Sequence, residues 1–257
     1  RFNQPSSTAA TLNRVTGASP SNINGNLFAN GRVFLLNPNG ILIGMNGVID
    51  VGGFTASTLD VSDAEFLAGG DMSFVGPSQA TVVNLGSISA ADGDVFLIAA
   101  SVLNQGSISA PNGTAGLAAG NDVLIKGSGH ERVFVRGASG GTKPNGVLNE
   151  GTVEANVAEL KAHGGNIYGM AVRNDGRVAA TGVSQEGGQI FLRAGGGRVQ
   201  STGQLVAKRP TESTGGDIVV DAGTGAGAGV EIGGTVDAAD SEGAGGTILV
   251  IGEAIDI

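Results

Sequence analysis

The chain has 257 residues, a formal net charge of −9 and no cysteine. The absence of cysteine excludes disulfides and thiolate metal sites, and the acidic balance, with no cluster of Lys or Arg, argues against nucleic acid as a partner. No run approaches ~18 consecutive apolar residues, so no transmembrane segment is predicted.

Glycine supplies 47 residues, whereas aromatic residues make up only 4% of the chain and Trp is absent. A chain so rich in Gly needs many tight turns or close backbone contacts. Val, Ile, Leu and Ala remain abundant, which separates the chain from disordered and collagen-like sequences. The core is therefore predicted to consist of thin layers of small and β-branched side chains.

The first sixty residues contain distinctive short motifs and no clean repeat. The motifs are Phe2-Asn3-Gln4-Pro5, Leu12-Asn13-Arg14-Val15-Thr16-Gly17, Gly31-Arg32-Val33-Phe34-Leu35-Leu36-Asn37-Pro38-Asn39-Gly40-Ile41 and Ala56-Ser57-Thr58. Pro38 fixes φ and pushes Asn37 toward an extended conformation, and Asn39-Gly40 is a strong turn pair. A β-turn is predicted after a strand Val33 to Leu36. Because the chain opens at Arg1 without Met or a signal peptide, we expect this start to be a cut.

Helices are expected to be rare and short. Ser62 and Glu65 have the spacing of a capping box, which predicts a helix from Ser62 to Leu67. A second short helix is predicted from Val157 to Ala162, ended by Gly164 and Gly165. Both would decorate a β scaffold.

A phrase of the form Asn-x-Gly-x-Ile/Val-x-Ala recurs from residue 84 onward. Its central glycines are Gly86, Gly106, Gly151, Gly176, Gly203 and Gly234, at intervals of 20, 45, 25, 27 and 31 residues. We interpret the interval of 45 as two turns of a solenoid, one interrupted by the irregular stretch Lys126 to Gly146. The preceding asparagines are expected to adopt the left-handed conformation at a turn and to bond through stacked amides: Asn84, Asn104, Asn149 and Asn174.

A second phrase, Gly-x-Ile/Val-x-Leu/Val, follows the first. It begins at Gly93, Gly188, Gly216 and Gly246, with a degenerate copy at Gly165 to Tyr168. Apolar residues alternate within it, as Ile190 and Leu192 do around Phe191, which is typical of a pleated strand. Such short strands cannot bury a face alone and must stack on their copies. The chain is therefore predicted to be all-β, a right-handed parallel β-helix with short β-hairpin or loop decorations.

The middle residue of the second phrase is often apolar. These residues form a candidate exposed stripe: Phe96, Tyr168, Phe191, Val219 and Leu249. Monomers rarely leave such a stripe bare, so we expect a loop such as Lys126 to Gly146, or a partner, to cover it. The alternative is a simple scatter of surface apolar residues.

No constellation of catalytic or metal-binding residues stands out. His130 and His163 lie in irregular sequence, without the neighbours of a triad or a metal cage, and are predicted to be solvated. Carboxylate pairs of the kind used by β-helix glycosidases were sought at Asp92/Asp94, Asp60/Asp63 and Asp237/Asp240, and a solvated face explains them better. We predict a protein that is not an enzyme, with no metal and no cofactor.

Together the N-terminal motifs resemble the secretion domain of two-partner exoproteins, the filamentous haemagglutinin N-terminal (haemagglutination activity) domain. The family-motif residues are Asn3, Gln4, Pro5, Asn13, Arg14 and Gly17, and the secretion motif is Asn37, Pro38, Asn39, Gly40 and Ile41. The resemblance is dense over residues 1–120, predicting a secretion domain there, truncated at its N-terminal cap, and continuing repeats of the same solenoid over residues 121–257. The second motif of the family, Asn-Pro-Asn-Leu, is missing, since Val83-Asn84-Leu85-Gly86 does not match it.

The resemblance implies a right-handed parallel β-helix that is secreted through the periplasm to the cell surface. Its expected partner is an outer-membrane β-barrel transporter whose periplasmic recognition domains bind the unfolded or extended secretion domain, and a host or neighbouring-cell surface is a further candidate. The secretion motif acts either by contacting the transporter or by supporting the fold, and its residues favour the fold. The alternatives are a carbohydrate-active β-helix enzyme, against which the scarcity of aromatic residues argues, and a purely structural surface solenoid.

Overall fold

The computed structural model describes residues 1–137, 146–163, 170–181, 188–209, 215–225, 227–239 and 245–257. The first half of the described chain contains β1 (Ala10–Arg14), β2 (Ser21–Ile23), β3 (Asn26–Phe28), β4 (Arg32–Leu36), β5 (Ile41–Ile43), β6 (Val48–Val51), β7 (Gly53–Ser57), α1 (Asp63–Ala68), β8 (Met72–Val75), β9 (Thr81–Asn84), β10 (Ser87–Ala90), β11 (Val95–Ala99), β12 (Ser101–Asn104) and β13 (Ser107–Ala119). The second half contains β14 (Asp122–Ile125), β15 (Val133–Gly137), β16 (Val147–Asn149), β17 (Thr152–His163), β18 (Val172–Asn174), β19 (Arg177–Ala180), β20 (Gln189–Gly195), β21 (Arg198–Ser201), β22 (Gln204–Ala207), β23 (Asp217–Asp221), β24 (Gly229–Ile232), β25 (Thr235–Asp237), β26 (Thr247–Ile251) and β27 (Ala254–Asp256).

These strands wind into a parallel β-helix with three faces, right-handed as the crossover rule for parallel strands requires. Face 1 is the sheet β2-β5-β9-β12-β16-β18-β21-β24-β27. Face 2 contains β3, β6, β10, β19, β22, β25 and the first parts of β13 and β17, and face 3 contains β1, β4, β7, β11, β20, β23, β26 and the second parts of β13 and β17. Every pairing along the three faces is parallel, so the predicted fold class is confirmed.

The recurring Asn-Gly phrases stack directly on one another, as predicted. Asn104 of β12 pairs with Asn84 in one neighbouring coil and with Asn149 in the other. Our interpretation of the interval of 45 residues as two turns is wrong, because β12 and β16 are adjacent strands of face 1. The interval is one coil that carries an excursion containing β14 and β15.

Inside the coils the core is made of thin aliphatic layers. Inward residues alternate with outward ones, as in β23, where Ile218 and Val220 are buried completely. Val, Ile, Leu and Ala dominate this inner core, and Phe54 is its large aromatic side chain. The prediction of a core of small and β-branched residues is therefore confirmed for the interior of the helix.

The central glycines of the phrase are required by the closeness of the coils. A Cβ added to Gly151 would lie 2.1 Å from the carbonyl oxygen of Gly106 in the next coil, and one added to Gly106 would lie 2.0 Å from that of Gly86. The same column continues through Gly176, Gly203 and Gly234. Glycine is therefore needed here because backbones approach, and none of these positions has a positive φ.

A second layer lies outside the helix. Strands β15, β14 and β8 form an antiparallel sheet in that order, and α1 precedes β8. A second buried cluster fills the space between this layer and face 3, with Phe34, Phe74 and Phe96 among its members. The large aromatic side chains of this cluster thus pack outside the coils, where the spacing between layers admits them.

One of the two helix predictions is confirmed. Helix α1 begins after Ser62, whose Oγ accepts a hydrogen bond from the backbone N–H of Glu65 at 3.2 Å. The helix predicted from Val157 to Ala162 is wrong, because these residues form part of β17, paired with β13 on one side and β20 on the other. Two neighbouring strands satisfy the whole backbone, which outweighs the helix propensity of the Ala, Glu, Leu and Lys residues in this segment.

Candidate secretion site

The secretion motif is the turn between β4 and β5. Asn37 is completely buried. Its Nδ2 donates to the carbonyl oxygen of Ser19 at 3.0 Å and to Ser21 Oγ at 2.9 Å, and its Oδ1 accepts from the backbone N–H of Asn39 at 2.9 Å. The side chain of Asn37 therefore ties the motif turn to the segment that leads into β2.

The rest of the motif closes and anchors the same turn. Gly40 has a φ of 111°, a conformation that favours glycine, and its N–H donates to the carbonyl oxygen of Asn37 at 3.1 Å. Ile41 starts β5 and is buried in the inner core. Pro38 and Asn39 have exposed side chains, although Asn39 Nδ2 donates to the carbonyl oxygen of Gly17 at 2.8 Å.

Gln4 holds the first segment of the chain to two strands. Its Nε2 donates to the carbonyl oxygens of Ala9 and Arg32, each at 2.9 Å, and its Oε1 accepts from the N–H of Gly31 at 2.9 Å. The neighbouring motif residues Asn3 and Pro5 are exposed. Gln4 lies outside the strands, and its side-chain amide makes the hydrogen bonds that attach this segment to its neighbours.

Asn13 and Arg14 connect β1 to different partners. Asn13 Nδ2 donates to the carbonyl oxygen of Phe34 at 3.0 Å, and Arg14 Nε donates to Asp60 Oδ1 at 2.8 Å. A second Arg14 nitrogen bonds to Asp63 at the start of α1. Hydrogen bonds from Asp60 and Asp63 raise the pKa of the Arg14 guanidinium above its ordinary value. Arg14 thus fixes the segment that leaves the helix after β7.

The stacked asparagines form a ladder through the inside of face 1. Asn84 Nδ2 donates to Asn104 Oδ1 at 2.8 Å, Asn104 to Asn149 at 2.7 Å, Asn149 to Asn174 at 2.8 Å, and Asn174 to Ser201 Oγ at 3.2 Å. The predicted amide stacking is therefore confirmed. The expected left-handed backbone is wrong, since the asparagines end extended strands and no described residue other than glycine has a positive φ.

The residues of the candidate apolar stripe occupy one outward row of face 3, but most of them are covered. The row runs Phe96, Gly116, Glu159, Phe191, Val219 and Leu249. Phe96 and Phe191 are buried, Val219 is partly buried, and Leu249 is 46% exposed. The cover expected from the stretch Lys126 to Gly146 is present over the first part of the row, where Val133 shares a buried cluster with Phe96, and Leu249 at the far end stays exposed. Tyr168 lies outside the described residues.

The stretch Lys126 to Gly146, expected to be a covering loop, forms strand β15 in its middle, and residues 138–145 lie outside the described part. Arg132 lies 5.4 Å from the ring centroid of Phe96, and Val133 belongs to the buried cluster outside the helix. Glu159 is completely buried, and its carboxylate oxygens accept from the backbone N–H groups of Arg132 at 2.7 Å and Val133 at 3.0 Å. This strand is therefore bound to face 3 by a buried carboxylate.

Charged pairs extend this attachment across three strands of face 3. Lys161 Nζ lies 2.6 Å from Glu159 and bonds to Glu131, which also accepts from Arg193 at 2.7 Å. Arg193 in turn pairs with Asp221 of β23. We call Glu131, Glu159, Lys161, Arg193 and Asp221 the face 3 charge network. The sequence signal for this network is the pair of charged residues Glu159 and Lys161 at alternate positions of an otherwise apolar segment.

Members of the carboxylate pairs considered for catalysis form ion pairs; the side chains of Asp60 and Asp63 are 66% and 75% exposed, as predicted for a solvated face, whereas that of Asp94 is 21% exposed. Asp94 lies 2.7 Å from Arg132, Asp237 lies 3.0 Å from Lys208, and Asp60 is bound by Arg14. Asp92 is exposed, and Asp240 lies outside the described residues.

Neither histidine lies in a buried site, since His130 and His163 are both exposed. Among the residues that the structure describes, no group of His, Cys, Asp and Glu is arranged to hold a metal ion. In the same part of the chain, no helix is long and apolar enough to cross a membrane.

The protein is thus a three-faced parallel β-helical solenoid with an N-terminal Asn-Pro-Asn-Gly turn and an antiparallel layer on one face. The family model of the two-partner secretion (TPS) secretion domain matches residues 1–207. The chain belongs to this family, and it is therefore a secretion domain of an exoprotein exported by two-partner secretion through the periplasm.

Two solved structures share the fold. The crystal structure of the HMW1 secretion domain from Haemophilus influenzae matches with a TM-score of 0.68 and 25% sequence identity, covering 100% of this chain and 84% of that chain. The crystal structure of a filamentous hemagglutinin secretion domain matches with a TM-score of 0.60 and 19% identity, covering 94% of this chain and 75% of that chain, which shows the fold alone.

The curated relatives match over a short segment. Two heme/hemopexin-binding proteins of Haemophilus influenzae are 47% identical over 60 residues and 46% identical over 61 residues. These segments are 23% and 24% of this chain, and in each case the match spans 7% of the relative's length.

Proposed function

We propose that this domain is the export signal of its exoprotein and that periplasmic recognition domains of an outer-membrane β-barrel transporter bind it. Membership of the TPS secretion domain family supports this function. We also propose that the exported protein is an adhesin that acts at a host or neighbouring-cell surface. The proposal does not include heme or hemopexin binding, because the match spans only 7% of the length of the curated relatives named for it.

We further propose that the Asn-Pro-Asn-Gly-Ile motif supports export through the fold. The observation that carries this proposal is the complete burial of Asn37, whose amide bonds only to atoms of its own chain. In the folded domain the enclosed side chain of Asn37 is out of a transporter's reach. The exposed side chains of the motif, Pro38 and Asn39, are the only ones in it that a partner could reach in the folded domain.

The test compares two variants in cells that carry the cognate transporter. Asn37→Ala is expected to lower both the urea midpoint of the purified domain and the amount exported, because it leaves the carbonyl of Ser19 and the N–H of Asn39 without their partner. Pro38→Ala is expected to leave both close to wild type.

Loss of export in Pro38→Ala with an unchanged urea midpoint would show direct contact instead. Equal export of the wild-type domain with and without the transporter would overturn the export function as a whole.

A further inference from the structure

A cavity of about 260 Å³ lies between face 3 and the layer outside the helix. Four phenylalanines line it: Phe34 of β4 and Phe96 of β11 come from face 3, Phe66 comes from α1 and Phe74 from β8. The rings of Phe34 and Phe66 meet edge to face, with their centroids 5.2 Å apart. Because aromatic groups pair through offset or edge-to-face contacts, these walls suit a ligand with an aromatic body.

The floor of the cavity lies low because two positions of one outward row carry little or no side chain. Ala10, Arg32 and Gly53 occupy this row in β1, β4 and β7, pair in register and line the cavity. A Cβ added to Gly53 would lie 3.1 Å from Cγ of Arg32. A side chain at position 53 would therefore crowd Arg32 and occupy part of the cavity, which glycine keeps open.

The charges around the cavity leave one cation over. Its charged lining residues are Arg32, Asp94 and Arg132. Asp94 lies 2.7 Å from Arg132 and also accepts from the N–H of Thr114 at 2.9 Å, so these two charges balance each other. Arg32 is exposed, and it forms no ion pair with a carboxylate of the described residues. The cavity thus combines aromatic walls with a positive charge that an anion complements.

The exposed lining residues show where the cavity opens to solvent. Leu67 of α1 is 81% exposed, and Gly69 and Gly70 after the helix are exposed as well. Both glycines have a positive φ, and a Cβ added to either would meet no atom within 4 Å. A ligand therefore reaches the phenylalanines past a rim that carries few side chains.

The volume limits the size of the ligand. An apolar cavity of roughly 150 Å³ holds one benzene, and pockets for drug-sized ligands start at about 300 Å³. A body of one or two rings fits between these limits. We propose that this cavity binds a small aromatic carboxylate, with its rings among the four phenylalanines and its carboxylate at Arg32. The site is separate from the export function, and neither depends on the other.

The test titrates the 257-residue chain with 2-naphthoate and follows the fluorescence of the probe. The chain has no Trp and one Tyr, so its own emission interferes little. Wild type is expected to bind 2-naphthoate saturably. Arg32→Gln should weaken this binding about tenfold, the loss of one charge-assisted hydrogen bond, and should leave the binding of the neutral 2-naphthylmethanol unchanged. Arg198→Gln, which removes an exposed arginine of β21 on face 1, is the matched control and should bind both probes like wild type.

A second variant tests the position of the rings. Ala10 is exposed in the row that forms the floor, so Ala10→Phe is expected to fill the cavity and to abolish binding of both probes at an unchanged urea midpoint. Absence of saturable 2-naphthoate binding by the folded wild type would overturn the site. Equal 2-naphthoate affinities of wild type and Arg32→Gln would overturn the role of Arg32, and full binding by folded Ala10→Phe would place the probe elsewhere. None of these results bears on export, which the transporter-dependent assay measures separately.

Discussion

Asn104 Nδ2 donates to Asn149 Oδ1 across 2.7 Å, although 45 residues separate the two along the chain. Asn104 also accepts from Asn84, so its amide bonds to the coils on both sides. Each amide of the ladder completes its bonding only when the neighbouring coils are in place. The ladder therefore fixes the register of coils whose lengths differ.

Asn104→Ala is expected to destabilise the coils on both sides of β12. The substitution removes the ladder acceptor of Asn84 Nδ2 and the Asn104 donor to Asn149 Oδ1, each at a cost of about 1–3 kcal/mol in a buried site. The measurement is the urea midpoint followed by circular dichroism. Gln105→Ala, which changes the exposed neighbour that bonds to Glu150, is the control and should shift the midpoint little. Equal midpoints for the two variants would contradict a stabilising role of the ladder.

Gly151→Ala is expected to be strongly destabilising, since the new Cβ would lie 2.1 Å from the carbonyl oxygen of Gly106 and would force the two coils apart. Gly17→Ala is the control, because a Cβ there meets no atom within 4 Å. The thermal midpoint of Gly17→Ala should stay within a few degrees of wild type. A similar loss in both variants would mean that close coil contact is not why Gly151 is glycine.

Phe191 and Leu249 occupy the same outward row but are expected to respond differently to replacement. Phe191→Ala should cost roughly 3 kcal/mol because the ring is buried beside Lys161 and Arg193. Leu249→Ser should hardly change stability and should lower the binding of a hydrophobic dye. Unfolding in urea and dye fluorescence give the two readouts. Reduced dye binding in Phe191→Ala without destabilisation would show that the ring is exposed after all.

The attachment of β15 is expected to weaken in acid. Burial alone would raise the pKa of Glu131, but hydrogen bonds and the charges of Lys161 and Arg193 outweigh it and hold this pKa below the ordinary value of 4.5. A lowered pKa in the folded state contributes stability that is fully present above pH 4.5 and is lost as the pH falls through the folded value.

The measurement compares the urea midpoints of wild type and Glu131→Gln across this range of pH. The difference should be largest near neutral pH and should shrink as the pH falls from 4.5 through the lower pKa of folded Glu131, where wild type also loses this charge. Glu154→Gln, which changes an exposed carboxylate on face 2, is the control and should show a small difference throughout. A Glu131→Gln difference that stays constant down to the acid limit would contradict the charge network.

Part of the candidate site could be predicted from the sequence and part could not. The turn at Asn37 to Gly40 was predictable because Pro and Gly restrict the backbone locally. The burial of Asn37 was not, since its partners Ser19 and Ser21 come from another strand connection.

The sequence by itself determined the solenoid. Its glycine and asparagine phrases, together with alternation of Ile, Val and Leu at every second position, leave stacked parallel strands as the way to bury a continuous core. Only the tertiary structure shows how many residues belong to each coil and which segment covers face 3. An excursion of any length can leave a coil without changing the register, so neither the one-coil interval between Gly106 and Gly151 nor the strand at Val157 to Ala162 follows from local sequence. Both depend on pairing with residues far away in the chain.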